Sequence, residues 1–137
     1  MIIDAENLIL GRLATFVAKK ALLGETIGVV NCEKAIITGK KDDILKKYRW
    51  KREVGETLHG PYFPRVSERV VRRAIRGMLP YKQYKGRIAF ERIRCYRGIP
   101  EGLKGKKLET IKEADVSKMQ NLKYMKIGDV CKFLGRE

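Results

Sequence analysis

The stretch Ser67 to Pro80, S-E-R-V-V-R-R-A-I-R-G-M-L-P, decides the fold, because its spacing predicts a short helix with two different faces. At about 100° per residue, one face carries an arginine row: Arg69, Arg72, Arg73 and Arg76. The opposite face is apolar and consists of Val70, Val71, Ala74, Ile75 and Met78. We predict that Ser67 caps the helix, that Gly77 ends it in the left-handed conformation and that Pro80 prevents its continuation.

The arginine row is not explained by helix stability, because four guanidinium groups on one face repel one another. Glu68 is the only carboxylate in the segment. Guanidinium groups bind phosphate oxygens through two parallel hydrogen bonds and keep their charge at physiological pH. The row therefore suits a polyphosphate partner, although a solvated basic face is the alternative interpretation.

The distribution of charge along the chain favours the polyphosphate partner. The chain has 137 residues and a net charge of +15, and its 44% apolar content is enough for one domain spanning residues 1–137. Residues 1–39 contain four basic and four acidic residues, whereas residues 65–107 contain fourteen basic and three acidic ones. This asymmetry predicts a neutral scaffold that presents a nucleic-acid-binding surface.

Composition also excludes several classes of protein. No apolar run approaches the roughly 20 residues that span a bilayer, and the start M-I-I-D does not resemble a signal peptide, so we expect a soluble cytoplasmic protein with no membrane partner.

The three cysteines are far apart in the sequence and lie in apolar segments: Cys32, Cys95 and Cys131. They predict buried, reduced thiols rather than disulfides or a zinc cluster. His59 is the only histidine, which argues against a metal site or histidine-based catalysis.

The first third of the chain predicts an α/β arrangement. Residues 1–4 and 27–31 are short apolar runs that flank a helical pattern over residues 10–22, which gives a β-α-β unit. Residues 35–38 form a third apolar run, and residues 40–48 have helical spacing. The expected sheet is parallel.

A nucleotide-dependent enzyme on this scaffold is the second hypothesis, and the sequence gives it little support. Gly11 has no further glycines at phosphate-loop spacing, and Gly39-Lys40-Lys41 lacks the other residues of such a loop. Asp42 and Asp43 are at a helix start, where they favour the helix dipole. We therefore expect no catalytic residues, no cofactor and no small-molecule substrate.

Residues 49–66 predict a long structured loop, because two glycines and two prolines interrupt any periodicity. Its aromatic residues can stack on unpaired bases while its cations bind the backbone beside them. The alternative is that Tyr62 and Phe63 only pack under the loop.

The rest of the chain gives three further predictions. Residues 81–90 continue the basic surface, and residues 92–97 alternate as a half-buried strand. After a lysine-rich connection, residues 127–134 predict a C-terminal helix.

Several motifs resemble the ribosomal protein L13 family of the large subunit, in its short archaeal form. They are Asp4-Ala5, L-G-R-L-A-T (10–15), V-V-N (29–31), I-T-G-K (37–40), G-P-Y-F-P-R (60–65), R-G-M-L-P (76–80) and Y-R-G-I-P (96–100). The run R-G-M-L-P is the most specific of these. Gly98-Ile99-Pro100 stands where bacterial members have an H-P-H segment, and the chain lacks the C-terminal extension of eukaryotic members. Both departures imply an archaeal source.

The resemblance implies a three-layer α/β/α domain with a four-stranded, mainly parallel sheet and a basic loop and helical extension. The scaffold would be residues 1–48 and 88–100 with the helix 127–134, and residues 49–87 would bind RNA. The implied role is a structural constituent of the large (50S) subunit that binds 23S ribosomal RNA and neighbouring ribosomal proteins and acts early in assembly, rather than an enzyme. Free regulation of translation through messenger RNA would use the same surface.

The candidate RNA-binding residues combine the basic positions of residues 49–97 with three rings of the loop. They are Arg49, Lys51, Arg52, His59, Tyr62, Phe63, Arg65, Arg69, Arg72, Arg73, Arg76, Lys82, Lys85, Arg87, Arg94 and Arg97.

Overall fold

The computed structural model describes residues 1–135 of the chain, which alternate between short strands and helices. The strands are β1 (Ile2–Asp4), β2 (Ile27–Val30), β3 (Ile36–Thr38), β4 (Ile93–Cys95) and β5 (Tyr124–Lys126). The helices are α1 (Leu10–Leu22), α2 (Lys41–Glu53), α3 (Ser67–Gly77), α4 (Tyr84–Glu91) and α5 (Ile127–Phe133). The fold is mixed α/β, as predicted.

The main sheet is parallel and has three strands in the order β1-β2-β4. In its register Ile3 lies opposite Val29, and Val29 lies opposite Cys95. The predicted β-α-β unit is confirmed by β1, α1 and β2. Buried aliphatic side chains from these elements, among them Leu13 and Ile93, form the core with the apolar face of α3.

The expectation of a four-stranded, mainly parallel sheet is wrong. β3 pairs antiparallel with β5 in a separate two-stranded sheet, with Ile37 opposite Met125. Only residues 31–35 separate β2 from β3, whereas parallel neighbours need a crossover of about a dozen residues or more. The chain therefore turns away after β2, and the Ile36 amide donates to the Leu8 carbonyl at 2.9 Å.

The predicted bounds of α3 are nearly correct, but its ends are built differently. The capping residue is Val66, whose carbonyl accepts hydrogen bonds from the amides of Arg69 and Val70 at 3.1 and 3.0 Å. Ser67 is fully buried, and its Oγ has no hydrogen-bond partner among the described residues. Gly77 is helical and does not have a positive φ. The helix ends because Pro80 follows, and a left-handed glycine is not required.

α2 is longer than the sequence predicted. It continues through Arg49–Glu53, where no glycine or proline interrupts it, and the Val54 amide still donates to the Trp50 carbonyl at 2.9 Å. The prediction of a loop over residues 49–66 is therefore wrong for residues 49–53, and the observed loop begins at Val54. Arg49, Lys51 and Arg52 belong to a helix.

α4 was not predicted, because Gly86 and two basic residues obscure its periodicity. Gly86 is buried, and a Cβ there would overlap the carbonyl of Pro80. The glycine thus lets the start of α4 approach the segment that leaves α3. This close turn brings the ring of Phe90 beside α3.

Two of the three cysteines meet in space despite their separation in sequence. Cys95 is the last residue of β4 and lies opposite Val29, and the Cys32 amide donates to the Tyr96 carbonyl at 3.2 Å. A side-chain hydrogen bond with Cys95, together with burial, raises the pKa of the Cys32 thiol. Cys32 and Cys131 are buried as predicted, whereas Cys95 is half-buried, and none of the three is in a disulfide.

The remaining predictions for the C-terminal half are largely confirmed. β4 buries Ile93 and exposes Arg94, as the alternation of residues 92–97 indicated. α5 matches the predicted C-terminal helix. β5 was missed, because its three residues are too few to show a period. Over residues 1–135, no helix combines the length and apolar character that a bilayer crossing requires.

Candidate nucleic-acid interface

α3 presents the two predicted faces. Val70, Val71 and Ile75 are buried in the core, whereas Arg69 and Arg72 are exposed. Arg73 and Arg76 are half-exposed. Met78 departs from the prediction, because it follows the end of the helix and is 44% exposed, with its sulfur accepting a hydrogen bond from the Thr15 hydroxyl at 3.2 Å.

Three members of the arginine row lie over aromatic rings. The Cζ atom of each guanidinium is 4.5 to 5.2 Å from a ring centroid, in the pairs Arg72 over Phe90, Arg76 over Tyr81 and Arg73 over Phe63. A ring attracts the cation and limits its motion without cancelling its charge. Arg73 also donates from Nη1 to the Tyr62 carbonyl at 3.1 Å, whereas no side-chain hydrogen bond of Arg72 or Arg76 is seen among residues 1–135.

No carboxylate among residues 1–135 pairs with the arginine row. Ion pairs between described residues involve lysines, such as Lys20–Glu25 at 2.9 Å, Lys34–Glu6 at 3.2 Å and Lys104–Glu101 at 4.0 Å. Glu68 and Glu91 line a cleft together with Arg69, Arg72 and Arg94 but form no ion pair there. The positive charge of the row is thus not neutralised within the described part of the chain.

The two aromatic rings of the loop after α2, Tyr62 and Phe63, differ in exposure. Phe63 is half-buried and packs edge-on against Tyr48, with 5.6 Å between the ring centroids. Tyr62 is 67% exposed, and its hydroxyl donates to the Thr57 carbonyl at 2.7 Å. Arg73 Nη1 donates to the Tyr62 carbonyl at 3.1 Å, which links the loop to the row. Phe63 therefore packs under the loop, whereas the ring of Tyr62 is exposed to solvent.

The basic residues of α2 combine structural contacts with exposure. The Arg49 guanidinium lies 4.9 Å from the ring centroid of Phe133, and Arg52 Nη1 donates to the Leu134 carbonyl at 3.2 Å, so both contact the C-terminal helix region. Lys51 Nζ lies 5.2 Å from the centroid of Tyr48 and 5.5 Å from that of Phe63. Burial, and then the positive charges of Lys47 and Arg73, lower the pKa of Lys51.

The structure brings only part of the predicted set together. One open cleft is lined by Arg52, Tyr62, Phe63, Arg65 and Arg69, and a second by Arg69, Arg72 and Arg94. Five further candidates are exposed away from both clefts, in the loop, before and within α4, and after β4: His59, Lys82, Lys85, Arg87 and Arg97.

Sequence reasoning missed Phe90 and the role of Tyr81, which support arginines from beneath. Phe90 is eighteen positions from Arg72, so no periodicity within one element relates them. The only signal was Gly86, whose small size indicated a close turn in the backbone. Among residues 1–135 no cluster of three or more histidine, cysteine or acidic side chains is placed to hold a metal ion.

Comparison with known proteins gives a consistent result. Residues 1–102 match the family model of ribosomal protein L13. The chain is similar to the large ribosomal subunit protein uL13 of Methanosarcina barkeri, at 48% identity over 98% of this chain and 96% of the relative. It is also similar to uL13 of Archaeoglobus fulgidus at 45% identity and of Methanopyrus kandleri at 46%, each over 98% of this chain and 86% of the relative. Because the family model covers most of the chain and archaeal relatives align along nearly all of it, the chain belongs to the ribosomal protein L13 family.

Proposed function

We propose that this chain is a structural, non-enzymatic protein of the large ribosomal subunit that binds 23S ribosomal RNA through the arginine row and the loop beside it. The observation that carries the proposal is that the row keeps its charge: three of its four arginines lie over rings, and no carboxylate of residues 1–135 pairs with the row. A dense phosphate backbone is the anion that such a surface suits. The ribosome is the corresponding cytoplasmic location.

The chain divides between a scaffold and a binding region in this proposal. The scaffold consists of residues 1–48 and 88–100 with the helix 127–134, and residues 49–87 bind RNA. The structure supports the division through α3, which buries Val71 and Ile75 in the scaffold core while it exposes Arg69 and Arg72. Neighbouring ribosomal proteins are further partners.

An early role in subunit assembly fits the way in which the binding region is built. α2, α3 and α4 carry most of the candidate residues, and α3 packs directly on α1 and β4. A basic surface that is held by a folded core does not have to pay the ordering cost of a disordered segment when it binds. It can therefore bind RNA before other proteins have shaped the site.

The test is reconstitution with large subunits. Purified protein is mixed with large subunits stripped of their own copy, and the particles are sedimented at increasing salt. We expect the protein to sediment with the particles at low salt and to leave them only at high salt, because the contacts are mainly to phosphates. Protein that stays in the supernatant at low salt would contradict the proposal.

A further inference from the structure

A cleft beside the arginine row combines cations with an exposed ring that the loop holds in place. It has a volume of about 500 Å³ and lies between the end of α2, the loop 61–66 and the start of α3. This volume is within the range of sites that hold small ligands. Its lining contains three arginines, Arg52, Arg65 and Arg69, and no acidic side chain among the described residues.

Tyr62 and Phe63 both line this cleft, and Tyr62 is the more exposed ring, whose position two hydrogen bonds fix. Its hydroxyl donates to the Thr57 carbonyl at 2.7 Å, and its own carbonyl accepts from Arg73 Nη1 at 3.1 Å. Gly60 lies close to one edge of the ring, since a Cβ there would be 3.2 Å from Cδ2 and Cε2. Even so, the side chain is 67% exposed. The ring is thus held in place without being covered, unlike Phe63, which packs against Tyr48.

A short backbone ladder supports the loop that carries the ring. The amide of Glu56 donates to the Gly60 carbonyl at 3.2 Å, and the amide of Gly60 donates to the Glu56 carbonyl at 2.9 Å. Gly55 has a φ of +98°, and a Cβ there would overlap the carbonyl of Gly60. The ring is therefore presented by a closed loop, so that little conformational entropy remains to be lost on binding.

We propose that this cleft binds a single unpaired nucleotide of the RNA, with its base stacked on Tyr62 and its phosphate held by Arg65 and Arg69. The inference rests on the proposed function and adds to it the kind of RNA element that this part of the surface selects. Paired RNA offers its phosphates to arginines but keeps its base faces inside the helix, whereas a bulged or looped-out nucleotide offers both a base face and a phosphate. All four bases have such a face, so the preference is for an unpaired nucleotide and not for a sequence.

The experiment compares two RNA hairpins of equal length at one salt concentration. In one hairpin a chosen nucleotide is bulged, and in the other it is paired, so the number of phosphates is the same. Each of the four bases is placed at the bulge in turn. We expect the wild-type chain to bind the bulged hairpins about tenfold more tightly than the paired ones, which is the scale of one base stacked on an aromatic side chain.

Three variants test whether Tyr62 is responsible for the preference for bulged hairpins. Tyr62→Ala is expected to reduce it to less than about twofold, mainly by weakening binding to the bulged hairpin, because the ring but no cation is removed. Tyr62→Phe keeps the ring and loses only the bond to Thr57, so most of the preference should remain. Tyr84→Ala removes a second exposed tyrosine, in α4 outside the cleft, and should preserve the preference in full.

The outcomes separate this inference from the proposed function. Equal affinity of the wild type for bulged and paired hairpins, or a preference that survives Tyr62→Ala, would overturn the inference and leave the RNA-binding function intact. Equal loss in Tyr62→Ala and Tyr84→Ala would also overturn it. If the wild type bound neither hairpin, the proposed function would fail and the inference would fail with it.

Discussion

In the N-terminal scaffold, Lys20 and Lys34 pair with carboxylates of the same chain, whereas in the basic middle (residues 65–107) three arginines of the row lie over aromatic rings. Lys20 pairs with Glu25 at 2.9 Å and Lys34 with Glu6 at 3.2 Å, while Arg72 lies 4.5 Å from the centroid of Phe90. An ion pair cancels charge, and a ring only positions it. Lys20 and Lys34 thus already have an anionic partner, whereas the arginine row has none among residues 1–135.

The largest expected effect comes from removing two members of the arginine row. Replacing Arg72 and Arg73 together with alanine should weaken RNA binding by about 100-fold, because each charge-assisted contact contributes on the order of 1.5 kcal/mol. The fold should persist, since neither side chain belongs to the buried face of α3. Filter binding at fixed salt and a melting curve measure the two quantities.

A matched double variant of the scaffold tests whether position or total charge matters. Lys20→Ala with Lys34→Ala removes the same two charges, but from residues that already have acidic partners. We expect a change in affinity of less than about threefold, from the weaker long-range attraction alone. Equal losses in the two double variants would eliminate the distinction between the regions.

A pair of glycine substitutions tests whether the basic middle is closely packed at the turn between α3 and α4. Gly86→Ala should lower the free energy of unfolding by about 1 to 3 kcal/mol, because the new methyl group would overlap the Pro80 carbonyl. Gly77→Ala meets nothing within 4 Å in a helical position and should raise it by about 0.5 kcal/mol. Denaturant unfolding measures both. A stabilising Gly86→Ala would mean that α4 does not approach α3 as described.

Removing a supporting ring should have a smaller effect, and mainly on binding. Phe90→Leu keeps much of the apolar contact but removes the ring under Arg72, so we expect RNA affinity to fall about two- to fivefold, the scale of one cation–π contact. Phe16→Leu makes the same substitution at a half-buried position of α1. Its affinity for RNA should equal that of the wild type. If both variants lost affinity alike, the ring would have no specific role.

The smallest expected effect is a dependence of binding on pH at Lys51. Burial, followed by the charges of Lys47 and Arg73, lowers the pKa of Lys51, so this side chain is charged below the lowered pKa and loses its charge as the pH rises through it. Below the ordinary lysine pKa of about 10.4, RNA affinity of the wild type should therefore fall about twofold more with rising pH than that of Lys51→Arg, because arginine stays charged. Parallel pH profiles of the two proteins at constant ionic strength would contradict this.

The periodic elements could be predicted from the sequence, and the pairings between distant segments could not. α1, α3 and α5 have apolar positions at helical spacing, which a local pattern reveals. β3 pairs with β5, which lies about ninety residues further along the chain. β5 has only three residues, which are too few to show the alternation of a strand. The prediction of a fourth parallel strand failed because it ignored the short link after β2.

The charged residues of the candidate site could be predicted from the sequence, but the aromatic rings that contact them could not. The arginine row and the basic middle follow from counting residues, since they are local properties of the sequence. Which ring lies beneath which guanidinium depends on the close turn at Gly86 and on the loop that ends at Val66, and both are tertiary features. The separate roles of Tyr62 and Phe63 likewise needed the position of Tyr48.

The salt dependence of RNA binding by the wild-type chain tests most directly whether the arginine row meets phosphates. If about six phosphates are neutralised, a plot of log affinity against log salt concentration should be linear with a slope of roughly −4 to −5. Filter-binding titrations between about 50 and 200 mM salt measure this slope. A slope near zero would show that the unpaired arginines of the basic middle do not bind the RNA backbone, and would contradict the account.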